Sequence, residues 1–174
     1  MRQPMKIQPQ ELRVKVLDDA DDLSCFDCSE NDIIGLNEFI HDEALDYQKE
    51  LLGVTYLFLF KGDIVGFATL LMGNIEIKNV RYRLPFLATF KEYPALIIGR
   101  LAVGNSYRRR GIGKNILFWC LGEAQQLSKR VGCKFVVVLT QGEDIISFYK
   151  KCDFEIALRY ERKRKILMYQ RIPS

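Results

Sequence analysis

Leu101-Ala-Val-Gly-Asn-Ser-Tyr-Arg-Arg-Arg-Gly-Ile-Gly-Lys114 is the most informative stretch of this 174-residue sequence. Before it, Ala95 to Val103 is an almost continuous apolar run interrupted by Arg100, which is typical of a strand covered on both faces. After it, apolar residues recur at helical spacing to about Arg130. The sequence therefore predicts a buried strand, a short polar loop and a helix with a glycine-rich first turn.

The predicted start of this helix is suited to an anion. N–H groups of a first helical turn point outward, the helix dipole adds partial positive charge, and glycine lets a phosphate approach the backbone. One exposed charge at a helix end contributes only about 0.3–1 kcal/mol, so several groups must act together, which favours a diphosphate over a single phosphate. The flanking basic residues are Arg108, Arg109, Arg110 and Lys114.

Two common phosphate motifs are absent from the sequence. The motif G-x-x-x-x-G-K-[ST] fails because Asn115 follows Gly113-Lys114 and no glycine stands at the earlier position. The motif G-x-G-x-x-G does not occur either. What remains is R-x-x-G-x-G, formed by Arg108, Gly111 and Gly113.

This motif, in its place between strand and helix, resembles the pyrophosphate loop [RQ]-x-x-G-x-[GA] of the GNAT N-acetyltransferase family. The resemblance implies acetyl-CoA as the co-substrate, with no metal. It also implies that the pantetheine arm pairs with the backbone of Leu101, Ala102 and Val103. The pyrophosphate would then be surrounded by the backbone amides of Arg109, Arg110, Gly111, Ile112, Gly113 and Lys114. For the side chains of the three arginines, the alternative interpretation is a solvated basic loop.

A second match is Phe148-Tyr149-Lys-Lys-Cys-Asp-Phe154, where the family often reads F-Y-x-x-x-G-F. The resemblance implies that Tyr149 is catalytic, as general acid toward the departing CoA thiolate. A phenol of pKa about 10 can protonate a thiolate whose conjugate acid has a pKa of about 8.5. The alternative is a core aromatic beside Phe148. Asp153 replaces the usual glycine, and aspartate enters left-handed turns more readily than most residues.

Alternating strands and helices in the second half predict an α/β sheet with at least one crossover. The resemblance implies one GNAT-like domain over residues 1–174, with a mixed, mostly antiparallel twisted sheet of six to seven strands flanked by about four helices. Periodicity predicts strands at 12–17, 54–60, 64–72, 95–103, 134–140, 154–158 and 166–171. It predicts helices within 31–51, 111–130 and 144–151. In the basic stretch 73–94 it suggests only a short strand at 75–80.

Less specific matches along most of the chain resemble the acetyltransferase toxins of bacterial toxin–antitoxin pairs, which acetylate the amino group of aminoacyl-tRNA. That resemblance implies aminoacyl-tRNA as the acceptor, with an antitoxin and a second copy of the chain as partners to test. The matching segments include Phe26-x-Cys28, Leu36-Asn37-x-Phe39, Thr55-Tyr56, Val65-Gly66-Phe67 and Pro94-Ala95.

The acceptor amine must lose a proton before it attacks a thioester. The predicted active-site strand carries Arg100 but no carboxylate that could act as base. Deprotonation at pH 7 costs about 4.6 kcal/mol for a lysine but only about 1–1.4 kcal/mol for an α-amine, which favours an α-amine. Glu76, Glu143 or Asp144 remain candidate bases. A protein N-terminus, a lysine or a small amine remain alternative acceptors, and a non-catalytic CoA- or RNA-binding module is the alternative class.

Charge is distributed unevenly along the chain. Residues 1–50 hold 13 acids and 5 bases, whereas residues 51–174 hold 9 acids and 21 bases. This asymmetry indicates an anionic partner for the basic part, or one part folding against the other. Basic residues that could follow a phosphate backbone, or form a solvated turn, are Lys78, Arg81, Arg83 and Lys91, and Arg159, Arg162, Lys163, Arg164 and Lys165.

Cellular context is indicated by hydropathy and cysteine content. No apolar run approaches the roughly 18 residues of a membrane span, so we expect a soluble, cytoplasmic protein. The five cysteines are scattered and odd in number, which suits reduced thiols. Cys25-Phe-Asp-Cys28 has the spacing of half a zinc site, but no second pair exists and His41 is the only histidine, so no metal site is expected.

Overall fold

A computed structural model describes residues 5–82, 91–158 and 165–173. In these ranges the chain forms seven strands and three helices. The strands are β1 Leu12–Val16, β2 Val54–Phe60, β3 Asp63–Glu76, β4 Glu92–Val103, β5 Phe135–Thr140, β6 Glu155–Ile156 and β7 Ile166–Arg171. The helices are α1, built from Leu36–Glu38, a π-helical turn Phe39–Glu43 and Ala44–Lys49, then α2 Ile112–Ser128 and α3 Glu143–Lys150.

The strands form one open mixed sheet in the order β1-β2-β3-β4-β5-β7-β6. β4 and β5 are parallel, while β1–β2, β2–β3, β5–β7 and β6–β7 are antiparallel. Helix α2 connects the two parallel strands, so the predicted crossover is confirmed. The predicted mixed, mostly antiparallel sheet of six to seven strands is confirmed as well.

The hairpin between β2 and β3 follows the sequence prediction. Lys61 and Gly62 both have positive φ, 54° and 97°, as a tight hairpin turn requires. The ladder is interrupted between Phe58 and Leu59, where its register shifts. Inside the hairpin the hydroxyl groups of Thr55 and Thr69 are 2.8 Å apart and hydrogen-bonded, which satisfies two buried polar groups.

Two details of the sequence prediction were wrong. The short strand expected at 75–80 does not form, because β3 runs on to Glu76 and Ile77–Asn79 closes a 3₁₀ turn in which the Val80 N–H donates to the Ile77 carbonyl. The described residues contain three helices rather than about four, because 31–51 yields one continuous helix. The basic residues Arg83 and Arg159 to Arg164 lie outside the described residues.

The chain divides into two compact units. Unit 1 comprises Met1–Leu71 and Arg100–Cys120, and unit 2 comprises Met72–Gly99 and Leu121–Ser174. The core of unit 1 contains Phe26, Phe39, Leu57, Phe67 and Ala102 among other residues. The core of unit 2 contains Tyr93, Ala95, Phe135, Val137 and Tyr169 among others. A single acetyltransferase domain over residues 1–174 stays a prediction.

The structure describes three further properties: the state of the cysteines, membrane-spanning helices and metal sites. The five cysteines are unbridged, with Cys25 exposed and the other four buried. Among the described residues, no helix is both long enough and apolar enough to cross a membrane. Within the same residues, no group of three or more histidine, cysteine, aspartate and glutamate side chains is arranged to hold a metal ion.

Gly66 lies where α2 packs closely against the sheet. A Cβ added to this residue would lie 2.7 Å from the Ala102 carbonyl oxygen and 2.7 Å from Cδ1 of Ile116. Real Cβ atoms do not tolerate such distances, so β3, β4 and α2 would have to move apart. The glycine therefore sets how deeply the first half of α2 sits on the sheet.

Gly66→Ala should destabilise the protein by about 1–3 kcal/mol, because the added methyl group meets backbone and a buried isoleucine. Gly122→Ala is the matched control, since its Cβ would meet nothing within 4 Å on α2. That change should instead stabilise the helix by about 0.5–1 kcal/mol. Urea unfolding of both variants tests the pair, and equal stability of the two would contradict this account.

Candidate functional site

The loop between β4 and α2, in unit 1, is where the anion site is predicted. Arg109 and Gly111 have positive φ values of 63° and 84°, which turns the chain sharply into the helix. The Asn115 N–H donates to the Gly111 carbonyl at 3.2 Å, so helix geometry leaves the N–H groups of Ile112, Gly113 and Lys114 without an intrahelical acceptor. A Cβ at Gly111 would meet nothing within 4 Å, so no other group packs against that side of the turn.

Leu101, Ala102 and Val103 form the last residues of β4, directly before this loop. The parallel ladder between β4 and β5 runs from Ala95 paired with Phe135 to Ile98 paired with Val138. The three residues therefore continue the strand after the last pair of that ladder. Ala102 is buried, and its two neighbours are half-buried. Extended backbone that follows a ladder is suited to bind a peptide-like chain such as pantetheine.

The basic side chains of the loop differ in what they contact. Arg108 Nη2 donates to the carbonyl oxygens of Glu30 at 2.6 Å and Cys28 at 3.4 Å, and its Nη1 lies 3.5 Å from the Glu30 carboxylate. Arg110 lies over the ring of Tyr107. In the described part of the chain, Arg109, Arg110 and Lys114 make no salt bridge. Arg108 thus binds protein carbonyls, whereas the other three charges are available for an anion.

Residues 26–30 hold the loop through further contacts. The Asn105 N–H donates to the Asp27 carbonyl at 2.8 Å, and Asn105 Nδ2 donates to the Asp27 carboxylate at 2.9 Å. A Cβ at Gly104 would lie 3.2 Å from the ring of Phe26, so this close contact favours glycine. Together with Arg108, these contacts form what we call the loop clamp, defined as Asp27, Cys28, Glu30, Asn105 and Arg108.

Hydrogen bonds to Asp63 and Ile7 also hold the loop, in addition to those of the clamp. Tyr107 donates its hydroxyl to the Asp63 carboxylate at 2.6 Å, which fastens the loop to the start of β3. The Ile7 N–H donates to the Arg110 carbonyl at 3.0 Å, and Asn115 Nδ2 donates to the Ile7 carbonyl at 2.9 Å. The loop backbone is therefore fixed from three sides of unit 1 without using its helix-start amides.

Two groups of the clamp, the Asp27 carboxyl and the Cys28 thiol, have pKa values shifted by their surroundings. Hydrogen bonds from Ser29 hold the pKa of Asp27 below its usual value, with smaller contributions from Asn105 and Arg108. Burial raises the pKa of the Cys28 thiol to about 11, so this cysteine is protonated at neutral pH. The hydrogen bond to Asp63 raises the pKa of Tyr107.

Sequence reasoning missed the clamp. Its members lie about 80 positions apart in the chain, and no local pattern links Asp27 to Asn105 or Glu30 to Arg108. The only local signal is Asp27-Cys-Ser29, whose serine N–H donates to the aspartate side chain as in an Asx turn. Such a turn predicts a loop but not its partner.

Tyr149 lies in unit 2, on the last turn of α3, and is buried. Its ring centroid is 5.2 Å from those of Phe148 and Phe154, so the packing considered as the alternative interpretation exists. Its carbonyl accepts N–H groups of Cys152 and Phe154. Asp153 has φ of 65°, which confirms that it replaces glycine in a left-handed turn. The catalytic role of Tyr149 stays a prediction.

The remaining candidates occupy ordinary structural positions. Glu76 pairs with Lys78 at 3.0 Å, and Glu143 and Asp144 are exposed in the first turn of α3. His41 Nε2 lies 3.0 Å from the Phe26 carbonyl oxygen, so it helps to hold the segment before the clamp. None of the three carboxylates is thereby identified as a base.

Arg108→Ala should destabilise the protein without ligand by about 1 kcal/mol, because the side chain holds two carbonyls and is partly exposed. Arg109→Ala is the matched control, since Arg109 is exposed and makes no salt bridge in the described residues. It should leave that stability unchanged while weakening anion binding. Chemical denaturation without acetyl-CoA separates the roles, and unchanged stability of Arg108→Ala would show that the clamp does not hold the loop.

Comparison with known proteins agrees with this geometry. Residues 53–156 match the acetyltransferase (GNAT) domain family. A tRNA-acetylating toxin of Mycobacterium tuberculosis (strain ATCC 25618 / H37Rv) is 26% identical over 145 residues, which are 81% of this chain and 82% of that protein. Residues 53–156, the range that matches the family, contain the end of β4, the loop, α2 and α3.

Solved structures share the fold. A tyrosine-to-phenylalanine mutant of KacT superposes with a TM-score of 0.80 at 23% identity, over 94% of this chain and 96% of that one. AtaT complexed with acetyl-methionyl-tRNAfMet superposes with a TM-score of 0.77 at 22% identity, over 90% of this chain and 93% of that one. AtaTR bound with AcCoA superposes with a TM-score of 0.72 at 26% identity, over 91% of this chain and 93% of that one. The chain belongs to the GNAT acetyltransferase family and is an acetyl-CoA-dependent N-acetyltransferase.

Proposed function

We propose that this enzyme transfers the acetyl group of acetyl-CoA directly to the α-amino group of aminoacyl-tRNA. The observation that carries the proposal is its likeness, over 81% of the chain, to a protein described as a tRNA-acetylating toxin. AtaT, which shares the fold, is described in complex with acetyl-methionyl-tRNAfMet and with the antitoxin AtaR. By the same likeness, an antitoxin is the expected protein partner, a homodimer is the assembly to test, and the cytoplasm is the expected location.

In this proposal different residues of β4 and the loop bind different parts of acetyl-CoA, which supplies the acetyl group as a thioester. The backbone of Leu101–Val103 pairs with the pantetheine arm. The amides of residues 109–114 surround the pyrophosphate, and the side chains of Arg109, Arg110 and Lys114 add charge. Arg108 acts differently from a phosphate ligand: it keeps the loop backbone in place through Cys28 and Glu30.

The chemistry needs a neutral amine and a protonated leaving group. The amine nitrogen bonds to the acetyl carbon, the carbon–sulfur bond breaks, nitrogen loses a proton to solvent or a base, and sulfur gains one. Tyr149 supplies the proton to sulfur and is reprotonated from solvent. An α-amine suits this site because its deprotonation at pH 7 costs about 1–1.4 kcal/mol, whereas that of a lysine costs about 4.6 kcal/mol.

Incubation with labelled acetyl-CoA and a set of amines tests the acceptor. Charged tRNA should gain label on the amino acid, while uncharged tRNA should gain none. Peptide N-termini and lysine side chains are the competing acceptors, and preferential labelling of either would overturn the proposal. Binding of acetyl-CoA with no transfer to any amine would instead identify a non-catalytic module.

Tyr149→Phe should lower kcat by about 10²-fold or more, because the ring packing is kept and only the proton donor is lost. The affinity for acetyl-CoA should stay unchanged. Tyr169→Phe is the matched control, a second buried tyrosine of unit 2 whose hydroxyl accepts from the Arg81 N–H and donates to Glu155. Removing that hydroxyl should cost stability of about 1 kcal/mol but leave kcat intact. Wild-type kcat in Tyr149→Phe would remove the tyrosine from the mechanism.

Gly111→Asp should abolish acetyl-CoA binding, since it places a carboxylate beside the helix-start amides that hold the pyrophosphate. The added Cβ has open space, and aspartate tolerates positive φ, so the fold should persist. Gly111→Asn is the matched neutral control and should retain much of the binding. Isothermal titration with acetyl-CoA compares them. On expression in bacteria, growth arrest by wild type but not by Gly111→Asp is expected for a toxin.

A further inference from the structure

Two cations share the ring of one tyrosine in unit 2. The Arg171 guanidinium carbon lies 4.2 Å and the Lys134 ammonium nitrogen 5.3 Å from the centroid of the Tyr82 ring. The same ring packs against Phe135, with centroids 6.3 Å apart. Tyr82 thus covers the aromatic core of unit 2 and also lies beneath two positive charges. We call Tyr82, Lys134 and Arg171 the Tyr82 cluster.

Backbone pairing holds these two cations at the same end of the sheet. Arg171 is the last residue of β7 and pairs with Phe135, the first residue of β5. Lys134 immediately precedes β5, its N–H donates to the Pro94 carbonyl at 2.9 Å, and its own carbonyl accepts the Ile172 N–H at 2.9 Å. The spacing of the charges is therefore built into the sheet.

Acidic side chains do not balance these two charges in the described part of the chain. In the ranges that the structure describes, neither Lys134 nor Arg171 makes a salt bridge with an acid, although two like charges around one ring repel each other. Two more cations, Lys129 and Arg130, are exposed just after α2, five and four residues before Lys134. Closely spaced cations without acidic partners are the electrostatic feature of a surface that binds a polyanion.

The charge balance of the whole unit points the same way. Unit 2 contains 15 lysines and arginines against 8 aspartates and glutamates, a net charge of +7. Unit 1 contains 11 lysines and arginines against 14 aspartates and glutamates, a net charge of −3, although it holds the proposed pyrophosphate loop. The positive charge of unit 2 is therefore separate from that loop, and it favours the approach of a second anionic ligand.

We propose that the Tyr82 cluster, with Lys129 and Arg130, binds the sugar–phosphate backbone of the tRNA substrate. The inference rests on the proposed function, which makes tRNA the polyanion that this enzyme must hold. A guanidinium can bind phosphate with two parallel hydrogen bonds, and an ammonium binds it as a point charge. Because such contacts release counterions, the affinity gained there must fall as salt rises.

The test uses the full-length double variant Lys134→Gln/Arg171→Gln, which removes both charges but keeps side chains over Tyr82. Lys61→Gln is the matched control, because Lys61 is an exposed lysine 5.3 Å from the ring of Phe60 in unit 1. Fluorescence anisotropy measures the affinity of each protein for uncharged tRNA as a function of salt. Acetyl-CoA affinity, measured in parallel, confirms that each variant is folded.

The double variant should bind tRNA about tenfold or more weakly at low salt, and its slope of log affinity against log salt should be shallower by about 1.5. Lys61→Gln should match wild type in both respects. An unchanged slope in the double variant overturns the inference, and so does an equal loss in the control. Loss of binding to polyglutamate with unchanged tRNA affinity would assign the cluster to an acidic protein and also overturn it.

Acetyl transfer by wild type to charged tRNA is scored separately. Salt-sensitive tRNA binding that depends on the cluster, but without acetyl transfer, would leave this inference standing and refute the proposed function. Transfer by wild type with normal tRNA affinity in the double variant would refute only the inference. No tRNA binding by wild type would refute both.

Discussion

The site depends on how firmly the strand-to-helix turn is held. A helix start binds an anion only if its N–H groups are not needed elsewhere and do not move, and the turn itself supplies few bonds for that purpose. Here the loop clamp provides them from a distant part of the chain: Asp27 bonds to Asn105, and the carbonyls of Cys28 and Glu30 accept from Arg108. The amides of the first turn are left for a ligand because other groups carry the structural bonds.

The clamp also gives a physical meaning to the opposite charges of the two ends of the sequence. Glu30 and Asp27 belong to the acidic first 50 residues, and both contact the basic loop. One part of the chain folding against the other therefore accounts for some of the asymmetry. The positive charge of unit 2 is separate from this neutralisation.

Local patterns were sufficient to predict most of the strands and helices and the glycine-rich turn between β4 and α2. The strand before the loop, the helix after it and the turn at Lys61-Gly62 follow from apolar periodicity and glycine placement. Contacts between distant residues were not predictable, because nothing near Arg108 indicates that its guanidinium binds carbonyls at 28 and 30. The stretch at 75–80 misled the prediction because Ile75 and Ile77 alternate with Glu76 and Lys78 as in a strand, whereas Ile77–Asn79 closes a 3₁₀ turn.

The turn after α3 has a consequence for how relatives of this enzyme are found. Asp153 adopts φ of 65° at a position where the family motif often has glycine, so in this chain an aspartate supplies the left-handed conformation that glycine adopts readily. A search pattern that demands glycine there would discard this chain. A pattern that accepts any residue tolerant of the left-handed region, namely glycine, asparagine or aspartate, would keep it.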